Sequence, residues 1–377
     1  MKKVLVILQE FNVGGILSSL SSLLDNIDSY SVHVDVFALY AVGESTNKLH
    51  NCNILEENIW LSSSIKHGSI IRKILVVFFR YLRKILGLLG IDIFPIYVRL
   101  ADRSMHFSSY DAIISYSESL TEFVSYLPSA NKIAWLHSVY SRFRKTLKYS
   151  NEKFLFDKYT HIVCVSNFAK QDFISLFPEY ESKVHVIYNI IDYKSIKAKS
   201  MQLVDFETSM FTILSIGRLD PVKQYEYIPL IASEIKNITD IPFRWYILGK
   251  DCGSKQSIIS NIFANNVEDI VFLLGEKQNP YPYLAKSNLF VHTSKSETYG
   301  LVIAEAISLG IPVVVNNFMG VEEVLDNEID GLIIPIKKMS FAISEIMNGS
   351  KSFKHNVCLS SFKDKSMYSV NEFYKII

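Results

Sequence analysis

The stretch SKSETYGLVIAEAISLGIPVVV, residues 294–315, indicates an α/β fold because its pattern is that of a loop, a helix and a strand in close succession. It follows a short apolar run, opens a helix near Gly300, closes that helix at Gly310 and re-enters a strand after Pro312. Free backbone amides at the helix start would attract phosphate, and they belong to Thr298, Tyr299, Gly300 and Leu301. The pattern predicts a parallel sheet with an anion-binding loop.

Two carboxylates stand eight residues apart in this stretch. Glu305 lies among apolar residues of a helix that is expected to be buried, and an unpaired buried carboxylate costs several kcal/mol. It therefore needs hydrogen-bond donors, which sugar or ribose hydroxyls would supply. Two alternatives stay open: Glu305 pairs with an arginine elsewhere in the chain, or its side chain is exposed to solvent. Glu297 precedes the helix, where an acid is also commonly a favourable cap.

Short β-branched runs alternate with helical patterns in both halves of the chain, which predicts two doubly wound parallel sheets. We expect an N-terminal domain over residues 1–195 and a C-terminal domain over 205–360, joined within the polar stretch 190–207. For a C-terminal helix at about residues 360–377, packing against the first domain is one alternative. The expected strands are residues 3–8, 33–39, 112–117, 132–137, 161–166 and 183–189, then 211–217, 244–250, 270–276, 289–294, 312–317 and 331–335.

Composition removes whole classes of protein. With 377 residues, 49% hydrophobic and 20% charged, the chain is long and apolar enough for two cores. A net charge of +1 gives no general attraction to nucleic acid, so none is expected as a partner. No apolar stretch reaches the roughly 18 residues of a membrane span. The cysteines lack C-x-x-C spacing and are expected to be reduced cytosolic thiols; they are Cys52, Cys164, Cys252 and Cys358.

The frame E-x7-E followed by A-x-x-x-G-x-P-V-V resembles the retaining glycosyltransferase family 4. The resemblance implies the GT-B fold, two Rossmann-like doubly wound domains facing across a cleft. It implies that Glu297 holds the donor sugar hydroxyls and Glu305 the nucleotide ribose. It extends to GVEEVLDNEIDGLIIP, residues 320–335, with Glu323 in the family's acidic position. Thr298 stands where many members carry glycine.

A second element, SIGRLDPVKQYEYI at residues 215–228, presents Arg218 and Lys223 after a strand. Two cations there could clamp a diphosphate, although an isolated pair of this spacing is more often simply solvated. The sequence is similar to the family's G-R-L-x-x-x-K pattern. By resemblance, both residues neutralise the departing diphosphate. Residues 275–294 likewise resemble family members that act on surface polysaccharides.

The N-terminal domain carries Gly14 and Gly15 between its first strand and first helix. Glycines there allow a ligand to approach the backbone closely. The G-x-G-x-x-G fingerprint is absent, which counts against a dinucleotide site. In the family that the chain resembles, the matching glycines border the donor phosphates. His137 follows another strand, where several relatives have a histidine that contacts the donor sugar; a packed, hydrogen-bonded histidine is the alternative.

No D-x-D pair occurs in the chain, whereas the other main glycosyltransferase fold uses that pair to hold a metal. We therefore expect no metal and no cofactor besides the donor. No Ser-His-Asp pattern, metal-spaced histidine cluster or P-loop supports a hydrolase or a kinase. A nucleophile cannot be named, and in the family that the chain resembles the acceptor hydroxyl is thought to attack from the same face.

Residues 65–91, IKHGSIIRKILVVFFRYLRKILGLLGI, form a basic and strongly apolar segment, because no Asp or Glu lies between Glu57 and Asp92. On an ideal helix all its basic residues fall within an arc of about 120°. Such a helix suits an anionic bilayer surface, with Phe78 and Phe79 inserting; a core helix with one solvated face is the alternative. The basic residues are Lys66, Arg72, Lys73, Arg80, Arg83 and Lys84.

These features together predict a cytoplasmic, retaining, metal-independent glycosyltransferase on the inner face of the cell membrane. It would move a sugar from a nucleoside diphosphate sugar, with UDP as the expected carrier, to a lipid-linked glycan in surface polysaccharide synthesis. Three alternatives stay open: a sugar-nucleotide epimerase of the same fold, an NAD-dependent oxidoreductase, and a non-catalytic membrane-surface binding protein.

Overall fold

The structure is a computed structural model that describes residues 1–11, 14–40, 46, 49–63, 69–146, 152–206, 209–353 and 358–377. The chain forms two compact units. Unit 1 comprises Met1–Ile190 together with Ser366–Ile377, and unit 2 comprises Ile191–Lys365.

Unit 1 is built on a seven-stranded sheet whose paired strands all run parallel, in the order β3-β2-β1-β4-β5-β6-β7. Its strands are β1 (Lys2–Leu8), β2 (Val32–Ala38), β3 (Asn53–Ile54), β4 (Ala112–Ser115), β5 (Lys132–Leu136), β6 (His161–Cys164) and β7 (Val184–Val186). Its helices are α1 (Gly15–Asn26), α2 (Ile70–Leu88), α3 (Phe94–Met105), α4 (Thr121–Ser125), α5 (Tyr140–Phe143), α6 (Glu152–Asp157) and α7 (Asn167–Leu176).

Unit 2 carries a six-stranded parallel sheet in the order β10-β9-β8-β11-β12-β13. Its strands are β8 (Phe211–Ile216), β9 (Phe243–Leu248), β10 (Val271–Gly275), β11 (Leu289–His292), β12 (Val313–Asn316) and β13 (Gly331–Ile334). Its helices are α8 (Tyr193–Ser200), α9 (Ile228–Ile238), α10 (Lys255–Ala264), α11 (Tyr281–Ala285), α12 (Leu301–Ser308) and α13 (Met339–Met347), and α14 (Cys358–Ile376) ends the chain.

Both sheets confirm the doubly wound fold that the alternating runs predicted. In each sheet the strand order reverses next to the first strand, between β1 and β4 in unit 1 and between β8 and β11 in unit 2. Loops leave such a point in opposite directions, which opens a crevice at the carboxyl ends of the strands. The two crevices are where ligand-binding residues are expected.

One segment differs from the sequence reading. The stretch 190–207, predicted as an irregular join, contains helix α8, which starts where the Asp192 carboxylate accepts the backbone N–H of Ser195 at 3.0 Å and which buries Ile196. At the other end of the chain, residues 366–377 belong to unit 1. There the side chain of Phe373 is buried, and the Tyr374 hydroxyl accepts the backbone N–H of Asp28 at 2.7 Å.

Candidate functional site

The crevice between β8 and β11 brings two of the predicted site residues into direct contact. Lys223 follows β8, Glu297 follows β11, and the Lys223 Nζ lies 2.5 Å from Glu297 Oε1. Both side chains are mostly buried. Although burial alone would raise the pKa of the Glu297 carboxyl, the contacts with His292 and Lys223 outweigh it and hold that pKa well below its usual range. Glu297 is therefore an anion with a fixed partner.

His292, the last residue of β11, is the second partner of this carboxylate. Its Nε2 lies 2.8 Å from Glu297 Oε1 and its side chain is fully buried. Burial lowers the pKa of the imidazole, although the carboxylate opposes the shift, so the ring is neutral at physiological pH. Among the residues that the structure describes, both contacts of the Glu297 carboxylate end on Oε1 and none ends on Oε2.

Hydrogen bonds tie the two loops of the crevice together. The Thr293 hydroxyl donates to the carbonyl of Lys223 at 2.7 Å, while the Ser294 hydroxyl and the Lys295 backbone N–H both donate to the carbonyl of Val222, at 3.1 and 3.0 Å. The backbone that carries Lys223 is thus held against the strand that leads to Glu297. The ion pair is consequently part of a preorganised site.

The floor of the crevice has no room for side chains at two glycines. A Cβ on Gly249, after β9, would lie 1.7 Å from the carbonyl oxygen of Gly217, after β8. A Cβ on Gly217 would lie 2.6 Å from the Tyr225 hydroxyl and 3.2 Å from Lys223 Cε. The two strand ends therefore approach each other by backbone alone.

Arg218 is placed differently from Lys223. Its side chain is 72% exposed, and its Nη2 lies 3.2 Å from Asp220 Oδ2. The sequence pattern predicted a pair of cations acting together, whereas the structure brings only Lys223 to Glu297. Exposure leaves Arg218 free to exchange its Asp220 contact for an anionic ligand at little cost.

Glu305 lies inside helix α12, where its carboxylate accepts the Tyr281 hydroxyl at 3.0 Å. Burial raises the pKa of Glu305 to about 7, against the Tyr281 hydrogen bond and the charge of Lys199, which both lower it. Burial and the neighbouring carboxylate also raise the pKa of the Tyr281 phenol. Within the described residues the donor to this carboxylate is a tyrosine and not an arginine, and a role for Glu305 in accepting ligand hydroxyls stays a prediction.

Helix α12 starts at the anion-binding loop that the sequence predicted. Gly300 is its N-cap in the left-handed conformation, with φ of 84°, which favours glycine. Leu301 opens the helix, and its first amides have no partner inside it. Tyr299 is buried and Thr298 half-buried. Thr298 is not among the described non-glycine residues with positive φ, so the loop accepts a threonine at this position without backbone strain.

In unit 1, Gly14 lies between β1 and α1 as the N-cap of that helix, and Gly15 is the first residue of the helix. Gly14 has an extended backbone, and no atom of the described residues lies within 4 Å of where its Cβ would be. The fold itself thus does not require glycine at position 14, and a role in ligand approach remains a prediction.

His137, after β5, packs its ring 4.8 Å from that of Tyr116. Its Nε2 is buried and has no hydrogen-bond partner within the described part of the chain, and burial lowers its pKa to about 3. The alternative of a histidine with satisfied hydrogen bonds does not hold for this nitrogen. A neutral ring with an unpaired nitrogen at a strand's carboxyl end could accept or donate one hydrogen bond to a ligand.

Sequence reasoning missed two acidic or basic residues in these crevices. Glu118, in the loop after β4, is buried and accepts the backbone N–H of Ser138; burial raises its pKa against the surrounding backbone hydrogen bonds. His292 was missed because it lies within an apolar strand, where a histidine suggests only packing. The five-residue offset between His292 and Glu297 was the one signal that linked them.

Helix α2 contains most of the predicted basic stripe, and Lys66 lies outside the described residues. The alternative of a core helix does not hold, since Val76 is the single buried residue of this helix. The outward face is apolar: Ile70, Ile74, Phe78, Ile85 and Leu88 are all more than half exposed. No helix in the described parts of the chain has the length and hydropathy of a membrane span.

The domain-facing side of α2 corrects part of the sequence reading. Phe79 was expected to insert into a bilayer, but its ring packs 4.4 Å from Trp60, and the Tyr97 hydroxyl donates to its carbonyl at 3.1 Å. Arg72 donates to the carbonyl of Glu57, and Arg80 donates to that of Ser63. Arg83 stacks over Phe94. Aromatic packing and arginine contacts therefore hold the helix on unit 1, while Lys73 and Lys84 stay exposed.

Two family models match the chain in tandem. Residues 14–195 match "Glycosyltransferase Family 4", and residues 197–355 match "Glycosyl transferases group 1". Together they span nearly the whole of both units.

Among curated proteins, the chain is 29% identical over 167 residues to N-acetylgalactosamine-N,N'-diacetylbacillosaminyl-diphospho-undecaprenol 4-alpha-N-acetylgalactosaminyltransferase of Campylobacter jejuni, covering 44% of each chain. It is 24% identical over 219 residues to UDP-Gal:alpha-D-GlcNAc-diphosphoundecaprenol alpha-1,3-galactosyltransferase of Escherichia coli, covering 56% of this chain and 57% of that protein. The matches thus span about half the length of these relatives.

Solved structures match the fold over the whole chain. Anabaena HepE in complex with UDP and glucose aligns with a TM-score of 0.69 at 17% identity, over 100% of this chain and 99% of that one. The lipopolysaccharide outer core galactosyltransferase WaaB, in its apo form, aligns with a TM-score of 0.67 at 13% identity, over 100% and 99%. At these identities the likeness shows the GT-B fold.

Proposed function

We propose that this chain, which belongs to the glycosyltransferases with a family 4 domain followed by a group 1 domain, transfers a sugar from a nucleoside diphosphate sugar to a lipid-linked glycan. The transfer retains the configuration of the anomeric carbon. The observation that carries the proposal is the Lys223–Glu297 pair at the β8–β11 switch point, beside the open start of helix α12. A diphosphate finds a cation and helix amides there, and a sugar finds a carboxylate.

Each group of the site has a proposed task. Lys223 and Arg218 neutralise the charge that gathers on the departing diphosphate, which lowers the barrier without a metal. Glu297 accepts hydroxyls of the donor sugar through Oε2, and Glu305 accepts those of the nucleotide ribose. The amides of Thr298, Tyr299, Gly300 and Leu301 bind phosphate oxygens, and Gly14, Gly15 and His137 are assigned to the donor from unit 1.

The relatives support the proposed acceptor class, because their names include a diphospho-undecaprenol lipid. The C. jejuni and E. coli proteins are similar enough for the same class of acceptor to be proposed here. UDP is the proposed carrier, because the E. coli relative is named for a UDP-linked sugar. A lipid-linked acceptor supports the proposal that the enzyme works at a membrane, and the cytoplasmic face is the proposed side.

Helix α2 is the proposed membrane contact. At 100° per residue, Ile74, Phe78 and Ile85 point within about 20° of the direction opposite the buried Val76, so the apolar face looks away from unit 1. Such an exposed apolar stripe marks an interaction surface. Residues 58–91 contain no Asp or Glu, which favours an anionic bilayer as the partner surface. Lys73 and Lys84, at the border of the apolar stripe, would reach the lipid phosphates.

The membrane assignment is tested by co-sedimentation with anionic and with zwitterionic vesicles, each at low and high salt. Changing Ile74, Phe78 and Ile85 to Ser should weaken binding to both vesicle types, since it removes inserted area. Lys73→Gln with Lys84→Gln should weaken binding to anionic vesicles alone and reduce the salt dependence, because each basic residue contributes roughly 1 kcal/mol there. Phe341→Ser is the matched control, since Phe341 is 61% exposed in unit 2 and Phe78 is 55% exposed.

If the wild-type protein ignores anionic vesicles at low salt, the membrane assignment fails. If Phe341→Ser weakens binding as much as the triple change in α2, the surface is wrongly placed.

The transfer itself is tested by a thermal-shift screen of nucleoside diphosphate sugars, followed by incubation of the stabilising sugar with and without a diphospho-undecaprenol-linked acceptor. A mass increase of one sugar on the acceptor, with an unchanged anomeric configuration by proton NMR, is the expected result. An isomerised donor in the absence of acceptor would instead support an epimerase. Stabilisation by NAD but by no nucleotide sugar would support an oxidoreductase.

A further inference from the structure

The side chain of His292 is enclosed at the end of β11 in a way that fixes its ring. It is fully buried, its ring stacks 6.1 Å from Phe290, and Phe318 lies edge-on at 6.3 Å. Its Nε2 faces Glu297 Oε1 at 2.8 Å, and its Nδ1 is buried with no hydrogen-bond partner in the described ranges of the chain. The ring therefore makes a single polar contact.

That contact determines which nitrogen of His292 carries the proton. With the proton on Nδ1, a buried N–H would have no acceptor, and the Nε2 lone pair would face a carboxylate oxygen. A doubly protonated ring would bury an unpaired N–H with its charge. The neutral tautomer with the proton on Nε2 avoids both penalties, so His292 donates a hydrogen bond to Glu297 Oε1.

The two partners of Glu297 act differently on its carboxylate. Lys223 supplies a compact charge on a flexible stem, which attracts the carboxylate but orients it weakly. His292 supplies a directional donor on a rigid strand, packed between two aromatic rings. Both contacts end on Oε1, so the protein orients the carboxylate through that one oxygen. Oε2 is left to accept hydrogen bonds from a ligand.

We propose that His292 is a positioning residue that orients the Glu297 carboxylate toward the donor sugar by donating its Nε2–H to Oε1. The inference rests on the proposed function, in which Glu297 accepts hydroxyls of the donor sugar. It separates two parts of donor recognition, because the diphosphate depends on Lys223 whereas the sugar depends on the His292–Glu297 hydrogen bond.

The test compares His292→Leu, which removes the donor, with His292→Gln, whose amide N–H can take the place of Nε2–H. In His292→Leu, kcat/KM for the nucleotide sugar should fall roughly ten- to a hundredfold, the scale of a lost hydrogen bond to a charged group. His292→Gln should recover most of that loss. Affinity for free UDP, which carries no sugar, should stay at the wild-type value in both variants.

A second readout does not depend on transfer. In protein labelled with ¹³C at the glutamate carboxyls, the signal missing from Glu297→Gln identifies Glu297. Its titration should move to higher pH in His292→Leu than in wild type, and less so in His292→Gln, because the hydrogen bond from His292 favours the ionised form.

Three results would overturn the inference. These are unchanged transfer and titration in His292→Leu, equal losses in the Leu and Gln variants with UDP affinity retained, or a parallel loss of UDP affinity that shows a collapsed site. A wild-type protein that transfers no sugar would refute the proposed function instead, and the carboxyl titration would still decide the role of His292.

Discussion

Replacing Glu305 by Gln should stabilise the folded protein relative to wild type at alkaline pH. It should also remove the carboxylate that is assigned to the ribose hydroxyls of the donor. Glu305 is a half-buried residue of α12, and burial raises its pKa from an ordinary value of 4.5 to about 7. A carboxyl whose pKa is raised on folding contributes stability that is fully present below pH 4.5. That contribution is lost as the pH rises through about 7, because the folded state binds the proton more tightly than the unfolded state does.

The size of the effect follows from the same pKa values. A rise from 4.5 to about 7 corresponds to about 3 kcal/mol, at 1.36 kcal/mol for each pH unit. Since Gln cannot ionise, the stability of Glu305→Gln relative to wild type should increase by up to about 3 kcal/mol between pH 4.5 and pH 8. Its amide oxygen can still accept the Tyr281 hydroxyl, so the packing of the site is retained.

The assay is urea unfolding of wild type and Glu305→Gln across pH 4.5–8, followed by tryptophan fluorescence. Tyr281→Phe is the matched control, because it removes a contact that lowers the pKa of Glu305 and should make the alkaline loss of stability larger. Parallel pH–stability curves for wild type and Glu305→Gln would refute the reasoning, since they would mean that the carboxyl ionises as easily in the folded chain as in the unfolded one.

Three further predictions follow from the other contacts. Glu297→Gln should lower transfer roughly ten- to a hundredfold while the protein stays folded, because the carboxylate is assigned to the ligand; full activity would contradict the assignment. Transfer should persist in excess EDTA, and abolition by EDTA with rescue by manganese would contradict a metal-free role for Lys223. Burial lowers the pKa values of His161 and His185, and His161 Nδ1 lies 3.0 Å from His185 Nε2. Thermal stability should therefore fall as the pH drops below about 6.5, and the fall should be smaller in His185→Gln. An unchanged pH dependence in that variant would show that this pair does not cause the fall.

The strands of both sheets could be predicted because each buried parallel strand is a short β-branched run with turn residues on both sides. Two elements of the fold could not be predicted, and each has a local reason. Strand β3 has only two residues, Asn53 and Ile54, which is too short for any pattern. Helix α8 carries three lysines and buries little beyond Ile196, so its sequence shows no apolar stripe.

Within the site, residues that stand out from their surroundings could be predicted and those that resemble core could not. Glu305 is conspicuous as an acid in an apolar helix, yet nothing local points to Tyr281, which lies 24 residues earlier and meets it only in the fold. His292 reads as part of a buried strand. The proximity of Lys223 to Glu297 depends on the strand order, which places β8 beside β11.

The orientation of helix α2 is also a tertiary property. The sequence shows a basic arc on an apolar helix, and such a helix could dock on the domain through either face. The choice is made by Phe79, whose packing with Trp60 and Tyr97 turns the arginines inward and the apolar stripe outward. No part of residues 65–91 alone contains that information.

We propose that the Lys223–Glu297 crevice is the donor site of a glycosyltransferase. Its most direct test is the mass of a diphospho-undecaprenol-linked acceptor after incubation with the stabilising nucleotide sugar and either wild type or Glu297→Gln. We expect an added sugar with wild type and a strongly reduced yield with Glu297→Gln, with both proteins folded at the temperature of the assay. An equal yield from both proteins would contradict it.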